Sequence, residues 1–232
     1  MFQYVCIALM FVPTMSLRFA LYTDQHIEGS DISGTMSLNE PGKWFMHDSV
    51  IRMLHDKYPG ILIIAAGDVN MYGVEMGDQG RQKMGQSKTI RTENNLRQLQ
   101  KFQQDGIIQA LGNHDFPHGG YLPPEDPIMD QYYEEFEHIL SGENIHQYWA
   151  GNYVVEKQNL RIIVLNTNYL VTTDNNYANE DNTTGDKVMQ WLEEASSGIK
   201  PCLLVGHHSA FWTKGVKIQY HDALQNTRCV AA

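Results

Sequence analysis

At 232 residues, with 42% hydrophobic and 19% charged residues, the chain has the size and balance of one folded domain rather than of a disordered segment. A formal net charge of −10 and a pI near 5.4 argue against a nucleic-acid partner: tracking phosphates takes clustered Lys and Arg, and the 17 basic residues here are scattered. No run is apolar over the length needed to span a bilayer, so a soluble mature protein without a transmembrane segment is expected.

Tyr4 to Val12 is a nearly unbroken apolar run followed by Pro13, Thr14, Met15 and Ser16. It is too short to cross a membrane, and the small residues Thr14 and Ser16 suit a signal peptidase. Residues 1–16 are therefore expected to be a cleaved signal peptide and 17–232 the folded domain, placed outside the cell or in a lysosome-like compartment. A buried first strand would give a similar run, and no Lys or Arg precedes it, but Leu17 to Thr23 supplies a complete strand without it. Cys6 falls inside this leader. Cys202 and Cys229 then either pair in an oxidising compartment or stand as a buried strand thiol and a free thiol. Asn182-Thr183-Thr184 is a glycosylation sequon in a polar loop.

The chain next alternates strands and helices. Leu17 to Tyr22 reads as a strand ending at Thr23-Asp24. Pro41 to Tyr58 has helical spacing and stops at Pro59-Gly60. Ile61 to Ala66 is a continuous apolar run, the pattern of a strand buried on both faces, and Gly67-Asp68 follows it. Met71 to Lys88 reads as a surface loop and Thr89 to Gln104 as a helix. Ile107 to Leu111 is a second buried strand, ending at Gly112-Asn113-His114-Asp115. A loop over Phe116 to Pro127 leads to a helix over Asp130 to Leu140. Tyr148 to Glu156 and Leu160 to Asn166 read as neighbouring strands joined by Lys157-Gln158-Asn159. A polar loop over Asp174 to Thr184, a helix over Asp186 to Ala195 and a strand over Cys202 to Val205 deliver Gly206-His207-His208. Such alternation predicts an α/β layered domain.

The informative pattern is positional. Four strands end in metal-ligand residues: Asp24-Gln25-His26, Gly67-Asp68, Gly112-Asn113-His114-Asp115 and Gly206-His207-His208. In open α/β sheets, sites form beyond the carboxyl ends of strands. Mixed oxygen and imidazole donors suit Zn, Mn or Fe better than Ca. A carboxylate such as Asp68 can bridge two cations roughly 3.5–4 Å apart. Asp-x-His and Gly-Asp are each common, and His114 taken alone is as readily a hydrogen-bonded loop histidine. Four such motifs, in order on four strand ends, point to metal-assisted chemistry.

These motifs resemble those of the calcineurin-like metallophosphoesterase superfamily, whose order is Asp-x-His, Gly-Asp, Gly-Asn-His-Asp/Glu and Gly-His. Leu165-Asn166-Thr167-Asn168-Tyr169, Gln190-Trp191-Leu192-Glu193 and Pro117 bring the chain closest to acid sphingomyelinase-like phosphodiesterases. The resemblance implies a metallophosphoesterase-type layered sandwich of two mixed β-sheets flanked by helices, filling residues 17–232 with its C-terminal part missing. It implies two divalent metal ions (Zn, Mn or Fe), with Asp24 and His26 on the first, Asp68 between them, and Asn113 and His207 on the second. It makes His114 the group that protonates the leaving oxygen, held by Asp115, with water acidified by the cations as nucleophile. The implied substrate is a small phosphate ester or phospholipid, with a phosphodiester leading and a phosphomonoester or nucleotide as rival.

Three departures accompany this likeness. Asp68 is followed by Val69-Asn70-Met71-Tyr72-Gly73, without the Pro and His-Asp usual in the sphingomyelinase-like group, and Tyr72 lies one place beyond the tyrosine of purple acid phosphatases. His208-Ser209-Ala210 replaces a proline-containing turn. The superfamily's Gly-His-x-His is absent from the 232 residues. Either the sequence is incomplete, or the site is degraded and the protein is a non-catalytic binder, or His208 or His221 substitutes. His47 and His55 read as surface or core-edge residues and the pair Glu134-Glu135 as a solvated helix face, while His118 and Tyr121 either line the substrate cleft or are plain loop residues. Asn166 and Asn168 either approach the phosphate or cap a strand end.

Overall fold

The computed structural model describes residues 6–12, 15–23, 43–68, 99–112, 115, 127–140, 145–157, 159–170, 183–198, 200–208 and 229–231. In chain order these form β1 (Cys6–Val12), β2 (Met15–Tyr22), α1 (Lys43–Lys57) and β3 (Leu62–Ala66), then α2 over residues 99–104 and β4 (Ile107–Ala110). There follow α3 (Pro127–Leu140), β5 (Ile145–Trp149), β6 (Asn152–Lys157), β7 (Leu160–Val164), a 3-10 turn (Thr167–Tyr169), α4 (Thr183–Ser196), β8 (Cys202–Val205) and β9 (Cys229–Ala231).

Two mixed sheets result, one of 4 strands in the order β1-β2-β3-β4 and one of 5 in the order β5-β6-β7-β8-β9. β2, β3 and β4 run parallel, as do β7, β8 and β9, while β1, β5 and β6 each pair antiparallel to a neighbour. The sheets pack face to face through alternate residues. Ile64, Ala66, Ile108 and Ala110 meet Tyr153, Val155, Ile162, Val164, Leu203 and Val205 in one buried cluster, with Tyr133, Phe136 and Leu140 of α3 joining it. The intervening residues face outward and are covered too. Ile63, Ala65 and Ile107 pack against Ile51 and Leu54 of α1 and Phe102 of α2; Ile163 and Leu204 pack against Val188, Met189, Leu192 and Ala195 of α4. Burial on both faces is why β3 and β8 are continuous apolar runs instead of alternating ones. The expected sandwich of two mixed sheets flanked by helices is thus the observed fold.

Among the described residues β4 is the last strand of its sheet, and a side chain from the facing sheet bonds to its backbone. Tyr153 Oη accepts the Gln109 N–H at 3.1 Å and donates to the Gln109 carbonyl at 2.6 Å, so one buried hydroxyl satisfies both backbone groups of that residue.

Several sequence expectations need correction. The strand expected over Tyr148 to Glu156 is two, β5 and β6, joined at Ala150-Gly151, where both residues have positive φ (48° and 81°) and Trp149 pairs with Asn152. That is the two-residue turn whose twist suits a hairpin, built here without the usual Asn-Gly. α4 starts at Thr183 rather than Asp186. The apolar run Cys6–Val12 forms a strand along β2, and the short β9 beside β8 had no counterpart among the expected elements. Cys202 and Cys229, direct neighbours in that last pairing, form a disulfide. Glu134 and Glu135 are exposed on α3, as expected of a solvated helix face.

His47 is not a surface residue. It is 4% exposed, continues the buried stripe of Ile51 and Leu54, stacks on Phe102 at 5.1 Å and shares a hydrogen bond with Tyr22 Oη at 3.0 Å. Burial lowers its pKa below 6.5 and the Lys101 charge acts in the same direction, against the opposing pull of Asp48 and Asp105. A depressed folded-state pKa means that the unfolded chain takes up this proton first. The stability His47 contributes is therefore complete above about pH 6.5 and is lost as the pH falls toward its folded value. His47→Gln should give a flatter denaturant midpoint between pH 7 and pH 5 than wild type, and parallel profiles would refute the assignment.

Candidate metal centre

β3, β4 and β8 end close together, and glycine allows it. Gly67 has φ of +91°, and a Cβ placed there would lie 2.6 Å from Gly112 N, 2.8 Å from Gly112 Cα and 2.9 Å from His207 Cβ. A Cβ on Gly112 would in turn strike the backbone N and carboxylate of Asp68. The turns after β3 and β4 therefore meet backbone to backbone, with the His207 side chain against them, at a point where only glycine fits.

Asp68 itself has φ of +52°, an unusual conformation for a residue with a side chain. Asp115 holds it there: its Oδ2 accepts the Asp68 N–H and the Gly112 N–H, both at 2.8 Å, while the Asp115 N–H donates to Gly112 O at 3.3 Å. Asp115 is fully buried, and its Oδ2 fastens the two turns together.

The Asp68 carboxylate then faces His207. Asp68 Oδ2 lies 3.1 Å from His207 Nε2, and the two side chains are only 4% and 9% exposed. His207 Nδ1 donates to Ala66 O at 2.9 Å, with Thr23 Oγ1 3.5 Å away, and Thr23 Oγ1 also donates toward the carbonyls of Ala66 and Gly67. Burial pushes the His207 pKa down, but the hydrogen bond and charge of Asp68, the Ala66 carbonyl and Asp115 outweigh it and raise the value to about 9.

This donor set fits a divalent cation. A histidine whose Nδ1–H is bound to a backbone carbonyl presents its Nε2 lone pair outward, the usual arrangement of a metal-bound imidazole. Two ligands of one cation, each about 2.0–2.2 Å from it, lie roughly 2.8–3.6 Å apart as the angle between them opens from a right angle to tetrahedral. The observed 3.1 Å therefore suits adjacent positions on one ion, with the proton on His207 standing where that ion would bind.

The family model for calcineurin-like phosphoesterases matches residues 17–227. The chain belongs to that family. No curated protein matches it. Membership brings phosphoester hydrolysis with divalent metals as the family's general chemistry.

Of the site residues expected from sequence, this metallophosphoesterase brings together Asp68, Asp115 and His207; Asp24, His26, Asn113 and His114 lie outside the described residues. Among the described residues no group of three or more His, Cys, Asp or Glu is gathered as a metal cluster. His208 is buried beside His207, with ring centroids 4.7 Å apart, and its Nδ1 is 2.9 Å from Thr167 Oγ1; His221 lies outside the described residues. Thr23 was given no role in the sequence, and Thr167 stood there only as part of the Leu165–Tyr169 motif. The signal available was a hydroxyl next to a ligand motif in one case and at a strand end in the other.

Proposed function

We propose that the chain is a secreted metal-dependent phosphodiesterase of the sphingomyelinase-like type, acting on a small phosphate ester or phospholipid. The observation that carries the hydrolase reading is the convergence of Asp68 and His207, from two different sheets, on a turn fastened by Asp115. Asp24, His26, Asp68, Asn113 and His207 would hold two divalent ions. When bound, such ions polarise a phosphoryl oxygen and acidify water. Asp115 keeps the Asp68 and Gly112 backbones fixed, so the carboxylate needs no reorganisation when a charged substrate arrives. His207 has its Nδ1 proton occupied by Ala66 O, which fixes the ring orientation. His114 would deliver a proton to the leaving oxygen.

The disulfide Cys202–Cys229 and the sequon at Asn182 support secretion, since both belong to an oxidising, glycosylating route. With residues 1–16 as the leader, the mature chain would lose β1, and the shortened β2 would become the sheet edge.

The deciding experiment combines metal content with hydrolysis of p-nitrophenyl phosphate and bis-p-nitrophenyl phosphate. Wild type should hold metal and prefer the diester. His114→Ala should keep its metal and lose about 10²–10⁴-fold in kcat, whereas Asp68→Ala should lose metal as well. A preference for the monoester would move the substrate class toward phosphatases. A wild type that binds metal but turns over no faster than His114→Ala would be a non-catalytic binder.

A further inference from the structure

The turn after β7 joins two of the motif turns without belonging to either. Thr167 Oγ1 accepts the backbone N–H of His208 at 3.0 Å and bonds to His208 Nδ1 at 2.9 Å. One residue on, Asn168 Nδ2 donates to the carbonyl of Leu111 at 3.1 Å, immediately before Gly112. Thr167 is fully buried and Asn168 is 4% exposed.

The turn is itself rigidly mounted. Asn166 Oδ1 accepts from the Asn168 backbone N–H at 3.3 Å and from Asn168 Nδ2 at 2.8 Å. Asn166 Nδ2 donates to Tyr133 Oη and to Ala150 O, and the Asn166 N–H donates to Asn152 Oδ1. Four separate parts of the chain thus fix the Asn166–Asn168 segment: α3, the β5–β6 turn, β6 and the end of β4. A buried, mutually bonded polar network of this kind has few alternative arrangements, because each broken bond strands a polar group away from water.

We propose that Thr167 and Asn168 are positioning residues that lock the His207–His208 turn of one sheet to the Leu111–Gly112 strand end of the other. The proposal rests on the metal-centre reading given above. A ligand pair assembled from two sheets is only as well placed as the sheets' relative register at that edge. The inter-sheet core is apolar and sets spacing; the 3-10 turn adds directional bonds that set which atoms face each other. Their hydrogen bonds go to His208 and to the Leu111 carbonyl, so both act through the segments that carry the motifs.

The test is Mn²⁺ and Zn²⁺ binding to the full chain by calorimetry, well below the melting temperature, in wild type, Thr167→Val, Thr167→Ser and Tyr153→Phe. Thr167→Val keeps the shape and removes the hydroxyl, so affinity should weaken about 10–100-fold. Thr167→Ser restores the hydroxyl and should restore affinity. Tyr153→Phe removes buried hydrogen bonds at Gln109 and should lower stability while keeping wild-type affinity. Wild-type affinity in Thr167→Val, or no rescue by serine, would overturn the proposal. If Thr167→Val does not fold, Asn168→Ser removes the donor to Leu111 and should give the same loss. Should wild type take up neither cation, the metal reading fails separately. The brace is then judged by hydrogen exchange at the His208 and Gly112 amides: faster exchange in the valine but not the serine variant supports it, and unchanged exchange overturns it.

Discussion

Gly67→Ala is expected to destabilise the protein by about 2–6 kcal/mol and to abolish metal uptake in whatever folded fraction remains. Two costs combine. A residue with a Cβ at φ of +91° is strained, and that Cβ would press on Gly112 N, Gly112 Cα and His207 Cβ at 2.6–2.9 Å. The first two are backbone atoms of the Asp115-bound turn and cannot swing aside. The third belongs to the His207 side chain, so relief on that side moves Nε2 away from Asp68. Gly60 and Gly106 supply the control: they have φ of +77° and +71° with nothing within 4 Å of an added Cβ. Alanine there meets only the conformational cost, about 1–2 kcal/mol, and should leave metal binding intact. The measurement is a denaturant curve with a metal titration for Gly67→Ala and Gly60→Ala side by side. Equal behaviour of the two would show that the two turns and His207 do not meet as described.

Much of the fold was legible because both sheets are covered on both faces. Ile61 to Ala66 and Cys202 to Val205 had to be apolar without interruption, Ile107 to Leu111 is interrupted only by Gln109, and each became a strand within a residue or so of its expected bounds. What escaped were features decided by contact rather than by pattern. Ala150 takes a positive φ that its residue type does not advertise, so the β5–β6 hairpin read as one strand. β9 is a Cys-Val-Ala strand given its place by pairing with β8. His47 sits at helical spacing from Ile51 and Leu54, and that periodicity was the clue to its burial.

At the site, Asp68 and His207 were visible because ligand-type residues at strand ends are rare as an ordered set. The roles of Thr167 and Thr23 were not. A single hydroxyl carries no periodicity, and the partners of these two lie 41 and 44 residues away in sequence. Gly67 and Gly112 were visible as motif letters, but the reason for them, the mutual approach of two backbones, exists only once β3 and β4 are side by side.

The disulfide carries the second large effect. Cys202 and Cys229 face each other across the β8–β9 pairing with Cα atoms 4.4 Å apart and a sequence separation of 27. Closing a loop of that length removes enough unfolded-state freedom to stabilise the fold by about 3.5 kcal/mol. For a domain of this size, that corresponds to roughly 7–14 °C in melting temperature. Cys229→Ser is the cleaner variant, because Cys202 is 4% exposed within the cluster under α4 and its own replacement would also remove packing. Reductant should lower the wild-type transition to that of Cys229→Ser and leave the variant unmoved; a wild type indifferent to reductant would sink the assignment. Metal binding should survive in the variant at low temperature. β8 is 4 residues long, with Cys202 at its start and the His207 turn beyond its far end, so the bond and His207 lie at opposite ends of the strand. Loss of stability with the metal site retained would place the disulfide's role in holding β9 against β8 rather than in shaping the centre.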